Sequence, residues 1–116
     1  MELKGSGFNE AIVRKAIGVC TINGYNLQKR GFNGMETLEL DVMDINHNRH
    51  IKVLQNMGGS IVQRDIPLGI IHSREERDSV IRDLYANHHL SQRFLAMFFR
   101  LAQPTISVII NAQGKE

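Results

Sequence analysis

The sequence predicts an α+β protein in which an antiparallel β-meander comes first and helices follow. Three observations predict it. The tight-turn signals Asn23-Gly24, Asn33-Gly34 and Gly58-Gly59 punctuate the first part of the chain. Between them, apolar residues alternate with polar ones at the period of a half-buried strand. From Ser73 onward the apolar spacing changes to that of a helix.

The elements follow in order. Residues 9–20 fit a helix, through Ile12, Val13, Ala16, Ile17 and Cys20, and fit a strand as well. The strand is preferred from Ala16 onward, because Asn23-Gly24 comes next. A type I′ hairpin turn needs positive φ at both central residues, and Asn-Gly meets that need at least cost. Asn33-Gly34 repeats the signal ahead of METLELDVMDI, where Leu38, Leu40 and Val42 alternate with Glu39 and Asp41. That pattern is a strand with one wet face. The polar run NHNRH turns the chain into HIKVLQ, and Gly58-Gly59 turns it into SIVQRDIPLGII, where Pro67 marks an interruption or an edge. A meander of about five strands results.

Ser73-Arg74-Glu75-Glu76 reads as a capping box opening a helix with the stripe Val80, Ile81, Leu84 and Tyr85. Asn87, His88 and His89 break it, and Ser91 caps a second helix. There Phe94, Leu95, Met97, Phe98, Phe99 and Leu101 cover most of the circumference. Such a helix is buried in its own core or pressed against another subunit. Pro104 stops it, and TISVII reads as a last strand covered on both faces. The expected organisation is one domain over 1–116: β-rich over about 8–72, two helices over 73–103, a strand over 104–111 and a loose tail over 112–116.

Composition bounds the function. With 116 residues, 42% hydrophobic and 22% charged, the chain holds one real core. Fourteen Lys and Arg against twelve Asp and Glu leave +2, too mild to demand nucleic acid or a membrane surface. No apolar run has the length of a spanning helix, and the start MELKGSGFNE lacks the apolar stretch of a signal peptide. The single cysteine, Cys20, fits a reducing cytoplasm.

Few residues carry chemistry. Cys20 sits in an apolar run, where a thiol behaves as a small hydrophobe. His47 and His50 fall in a turn and His88 and His89 between helices, without the companions a metal site needs, so no metal or cofactor is expected. Gly58-Gly59-Ser60 reads as a turn before it reads as a phosphate cradle. The run Gln28-Lys29-Arg30-Gly31-Phe32-Asn33-Gly34 sets an aromatic among basic residues, a pattern that stacks a base when exposed and packs inward when not. Arg74, Arg77, Arg82, Arg93 and Arg100 stud the helices, with Glu75, Glu76, Asp78 and Asp83 among them. They form a solvated face or, at a subunit boundary, an anion pocket. No catalytic set emerges, and an enzyme is not the favoured reading.

The stretch KAIGVCTINGYNL and the helices over 73–103, with the order sheet, two helices, short strand, resemble the phage-encoded sponge proteins that defeat Thoeris immunity by sequestering TIR-made cyclic ADP-ribose signals. The resemblance implies a homo-oligomer that captures a nucleotide without reacting with it. An aromatic and an Arg would sandwich the adenine, while Arg and Asn side chains hold ribose and pyrophosphate. The arginines that the family carries near its C-terminus have no counterpart after Arg100. Residues chosen by their chemistry for the ligand are Asn87, Arg93 and Arg100 on the helices, with Arg64 and Phe32 from the sheet. The expected partners are thus a small nucleotide and further copies of the chain, with no membrane, in a cytoplasm that would be the host bacterium's. Two other readings stay open: a nucleic-acid binder using the QKRGFNG loop, and a protein–protein inhibitor that docks an apolar helix face.

Overall fold

The computed structural model describes residues 1–112, and the chain divides into two compact units, Met1–Leu68 and Gly69–Glu116. The fold is α+β. Four antiparallel strands in the order β1-β2-β3-β4 make the sheet of the first unit. Three helices make the second.

The first unit opens with α1 (Glu10–Ile17), whose N-cap Asn9 accepts the Ile12 N–H at 2.9 Å. Gly18, at φ 74, ends it. The strand expected from Ala16 is therefore a helix to Ile17: Val13, Ala16 and Ile17 all pack on one core at helical spacing, whereas a strand would set Ala16 and Ile17 on opposite faces. β1 (Thr21–Gln28) follows, and the hairpin expected at Asn23-Gly24 is absent. These residues run through β1, and the register against β2 (Glu36–Met43) slips by one residue between Ile22 and Gly24. Asn23 is the extra residue of a β-bulge. Asn33-Gly34, at φ 63 and 73, does supply the turn, within Phe32–Gly34. Gly58-Gly59, at φ 62 and 97, closes the two-residue hairpin between β3 (Arg49–Met57) and β4 (Ser60–Pro67). Pro67 ends β4, an edge strand, where no ladder bond is lost. The meander has four strands, because Ala16 and Ile17 end α1 while Thr21 and Ile22 run on through Asn23-Gly24 into one strand, β1.

Leu38, Leu40, Val42 and Leu54 share one face of the sheet and form a core with Leu3, Phe8, Val13 and Ile17. The other face was expected to be wet along β2. It is not: Thr37, Glu39 and Asp41 are all buried.

Between β2 and β3, Asp44 builds the turn. Its Oδ1 accepts the N–H groups of Asn46 (2.8 Å) and Asn48 (3.0 Å), its Oδ2 lies 2.9 Å from His50 Nε2, and His47 takes φ 64. The Asn48 N–H, and after it His50, hold the Asp44 pKa down from the ordinary 3.8 to about 2. A carboxyl with a depressed folded value stabilises fully above its unfolded pKa and loses that contribution as pH falls through the folded one. Unfolding midpoints are therefore expected to fall as the pH drops from 3.8 to about 2. Asp44→Asn is expected to flatten that fall, as thermal melts across the acid range would read.

In the second unit, α2 (Arg74–Ala86) is capped by Ser73, which accepts the Glu76 N–H at 3.1 Å. Ile81 and Leu84 are buried along its stripe. α3 (Gln92–Phe99) is capped by Ser91, which accepts the Phe94 N–H at 3.1 Å. It stops at Arg100 in the left-handed conformation, not at Pro104. The last strand, expected over 104–111, is a helix, α4 (Gln103–Asn111). Pro104 sits in its first turn, where the missing N–H costs nothing, so the proline begins a helix and does not end one. Ile106, Ile109 and Ile110 are buried at helical spacing while Val108 is 68% exposed, a division that a doubly covered strand would not show. There are thus three helices after the sheet, where two and a strand were expected. α4 packs against α2 and α3. The apolar surplus of Phe94, Leu95 and Phe98 is buried within the single chain. No single helix among the described residues is long and apolar enough to cross a membrane. Most of the tail expected over 112–116 lies outside the described residues.

Candidate functional site

The five residues picked for ligand binding fall in both units. Asn87, Arg93 and Arg100 belong to the second, Phe32 and Arg64 to the first.

Asn87 is the C-cap of α2, and its Nδ2 donates to Asp83 Oδ1 at 2.6 Å. His88 Nε2 stands 3.6 Å from the other oxygen of Asp83. The amide thus helps to close the α2–α3 turn, which the Leu90 N–H also ties to the Leu84 carbonyl at 3.2 Å. Arg93 is the second residue of α3 and Arg100 its left-handed C-cap, at φ 58. Both are exposed. Their separation of two helical turns amounts to about 10 Å along the axis. Neither has an ion pair or hydrogen bond from its side chain among the described residues.

The other helical arginines differ. Arg77 holds Asp78 Oδ1 through Nε at 3.0 Å and Nη2 at 2.9 Å. Arg82 Nη1 donates to the Ile109 carbonyl at 3.5 Å. Arg74 stands in the first turn of α2 beside Glu75 and Glu76. Residues 84–112 contain no Asp or Glu at all. Arg93 and Arg100 are therefore the two guanidiniums of this unit that no neighbouring carboxylate in the sequence neutralises. The first turn of α3 has no acidic residue either, so its positive end adds to the field of Arg93.

Arg64 lies on edge strand β4. Register places it in one row with Asn26, Glu39 and Val53, on a single face of the sheet. Glu39 is fully buried there, and its Oε1 accepts from Asn26 Nδ2 at 2.8 Å. In the next row Asp41 Oδ2 accepts from Arg49 Nη2 at 3.0 Å, while its Oδ1 is buried without a partner among the described residues. Arg64 thus shares its face with two buried carboxylates, whose field opposes an anion. Phe32 opens the Phe32–Gly34 turn, with 41% of its surface exposed, beside exposed Lys29 and Arg30. Its carbonyl accepts from Gln55 Nε2 at 3.4 Å. It is not the inward member of a strand.

The remaining clusters are used structurally. Gly59 donates its N–H to Asn56 Oδ1 at 3.1 Å, so Gly58-Gly59 spends one of the groups a phosphate cradle would use. Cys20 is half-buried, with Sγ 3.9 Å from the Ile17 carbonyl. Among the described residues no three His, Cys, Asp or Glu side chains converge to hold a metal ion.

Set against protein-family models, curated proteins and solved structures, the chain matches none of them. Function therefore has to be argued from the side chains themselves. The buried pair Glu39 and Asp41 escaped the sequence reading, since alternation alone assigns such residues to water. Arg93 and Arg100 were chosen by their chemistry alone; the stretch 84–112 without Asp or Glu, which sets them apart from the other helical arginines, was a signal in the sequence that this choice did not use.

Proposed function

We propose that this chain is a non-enzymatic binding protein that captures a phosphate-bearing nucleotide, of the kind represented by a cyclic ADP-ribose isomer, and so counters bacterial immune signalling from the cytoplasm. The observation that carries the reading is the pair Arg93 and Arg100: exposed, about two turns apart, and set in residues 84–112 without a carboxylate. Guanidinium groups hold phosphate oxygens through paired, charge-assisted hydrogen bonds and stack on a base through their planes. Two of them at the ends of one short helix suit a ligand that presents phosphates and a base together. Exposed Met97 and Val108, on α3 and α4, give an apolar border for a second copy of the chain, in keeping with a homo-oligomer.

Thermal unfolding with cyclic ADP-ribose isomers tests the reading, with linear ADP-ribose and a short oligonucleotide as controls. A ligand that binds only the folded state stabilises it by about 2.7 kcal/mol at a hundred times its Kd. That is a rise of several degrees, and Arg93→Ala with Arg100→Ala is expected to abolish it. No shift with any saturating isomer would sink the reading. A shift with the oligonucleotide alone, falling steeply with salt, would favour nucleic acid on exposed Lys29, Arg30 and Phe32.

A further inference from the structure

A cleft of about 320 Å³ lies in the first unit, beside the bulge of β1, between that strand and α1. Its wall is Ile22, Asn23, Gly24 and Tyr25 on one side and Glu10 and Arg14 on the other, with Met1 at its end. Three of these side chains present donors that no described residue takes up.

Arg14 is pinned by one bond, from Nη1 to the Cys20 carbonyl at 3.0 Å. A guanidinium has five N–H groups, so the rest stay available, and no carboxylate pairs with Arg14 among the described residues. Tyr25 Oη accepts the Glu2 N–H at 2.6 Å. A hydroxyl that accepts still has its own proton to give, and no described residue takes it. Asn23, the exposed extra residue of the bulge, has no side-chain bond among the described residues. The one acid in the cleft, Glu10, lies 3.2 Å from the Met1 amine, which offsets its charge. Ile22, half-buried, adds an apolar surface.

We propose that this cleft binds a small organic oxyanion, a carboxylate or a phosphate monoester, with Arg14, Asn23 and Tyr25 donating to the oxygens and Ile22 against the carbon part. The bulge builds the site. The extra residue, Asn23, is exposed and lines the cleft together with Arg14. The volume suits a ligand of a few carbon atoms and its acid group, at the lower end of small-molecule pockets. This site is independent of Arg93 and Arg100.

The test is an amide NMR titration of the full chain at constant ionic strength with phenyl phosphate, benzoate, inorganic phosphate and, as a neutral control, phenol. Saturable shifts are expected at Asn23, Gly24 and Tyr25 with phenyl phosphate or benzoate, and the tighter of the two names the acid class. Inorganic phosphate is expected to bind more weakly, lacking the apolar part. Losing a charge-assisted bond costs roughly tenfold, so Arg14→Gln is expected to weaken binding by that factor and Tyr25→Phe by a few-fold. Glu10→Gln is expected to tighten it, and this variant keeps the test sharp should Arg14→Gln disturb the fold. Arg93→Ala with Arg100→Ala is expected to leave the titration unchanged. Equal binding of phenol, shifts that do not saturate, or full affinity in both Arg14→Gln and Tyr25→Phe would overturn the proposal.

Discussion

Replacing Phe94 by alanine is expected to cost the helical unit about 3–5 kcal/mol, the largest single effect among its side chains. Phe94 is fully buried, and its own N–H is held by the Ser91 cap. Its ring lies 5.8 Å from that of Phe98, which in turn meets Phe99 at 5.1 Å. Removing it loses the transfer free energy of the ring, leaves a cavity under α3 and ends an aromatic contact. Met97 is on the same helix and 38% exposed. Its change to alanine is expected to cost about 1 kcal/mol or less, because a surface side chain leaves no cavity. Chemical denaturation followed by far-ultraviolet circular dichroism would measure both. Similar costs for the two would mean that α3 is not seated by Phe94. The contrast also bears on Arg93, the residue before Phe94, since the seat of the ring sets where that guanidinium stands.

The hairpins were legible because their turns are written in residues that tolerate positive φ. Asn33-Gly34 and Gly58-Gly59 each sit where the chain reverses, and both take that conformation. Asn23-Gly24 has the same letters and no turn, since pairing of β1 with β2 on both sides of it outweighs the local preference and leaves only a bulge. TISVII was misread for a related reason. A short apolar run does not distinguish strand from helix, and Pro104 reads as a stop or a start depending on which residues pack behind it. The helix caps at Ser73 and Ser91 were legible, because each is a local bond between a hydroxyl and an N–H three residues on. The candidate site was legible only as residue types. Which arginines are tied to Asp78 or to the Ile109 carbonyl, and which are not, depends on packing that no spacing rule contains.

Arg49→Ala is expected to destabilise the sheet by about 3 kcal/mol, whereas Asp41→Val is expected to be nearly neutral. The asymmetry follows from burial. Arg49 keeps 43% of its side chain exposed and Asp41 only 10%. Without Asp41, the Arg49 guanidinium keeps its access to water. Without Arg49, Asp41 loses the donor on Oδ2 while Oδ1 already lacks one, and a buried carboxylate is left with neither oxygen satisfied. Breaking a buried pair from that side costs several kcal/mol, and exposure of Arg49 puts the figure at the lower end. Valine suits a covered strand position between Gly24 and Ile51, its neighbours in register, and removes the unpartnered oxygen altogether. The double variant Asp41→Val with Arg49→Ala is then expected to lie closer to Asp41→Val alone than to the sum of the two single losses, the non-additivity of two residues in contact. Urea midpoints for the four proteins complete the cycle. A large loss in Asp41→Val would instead mean that Arg49 depends on Asp41 to be held against the sheet, and that the pair stabilises from both sides.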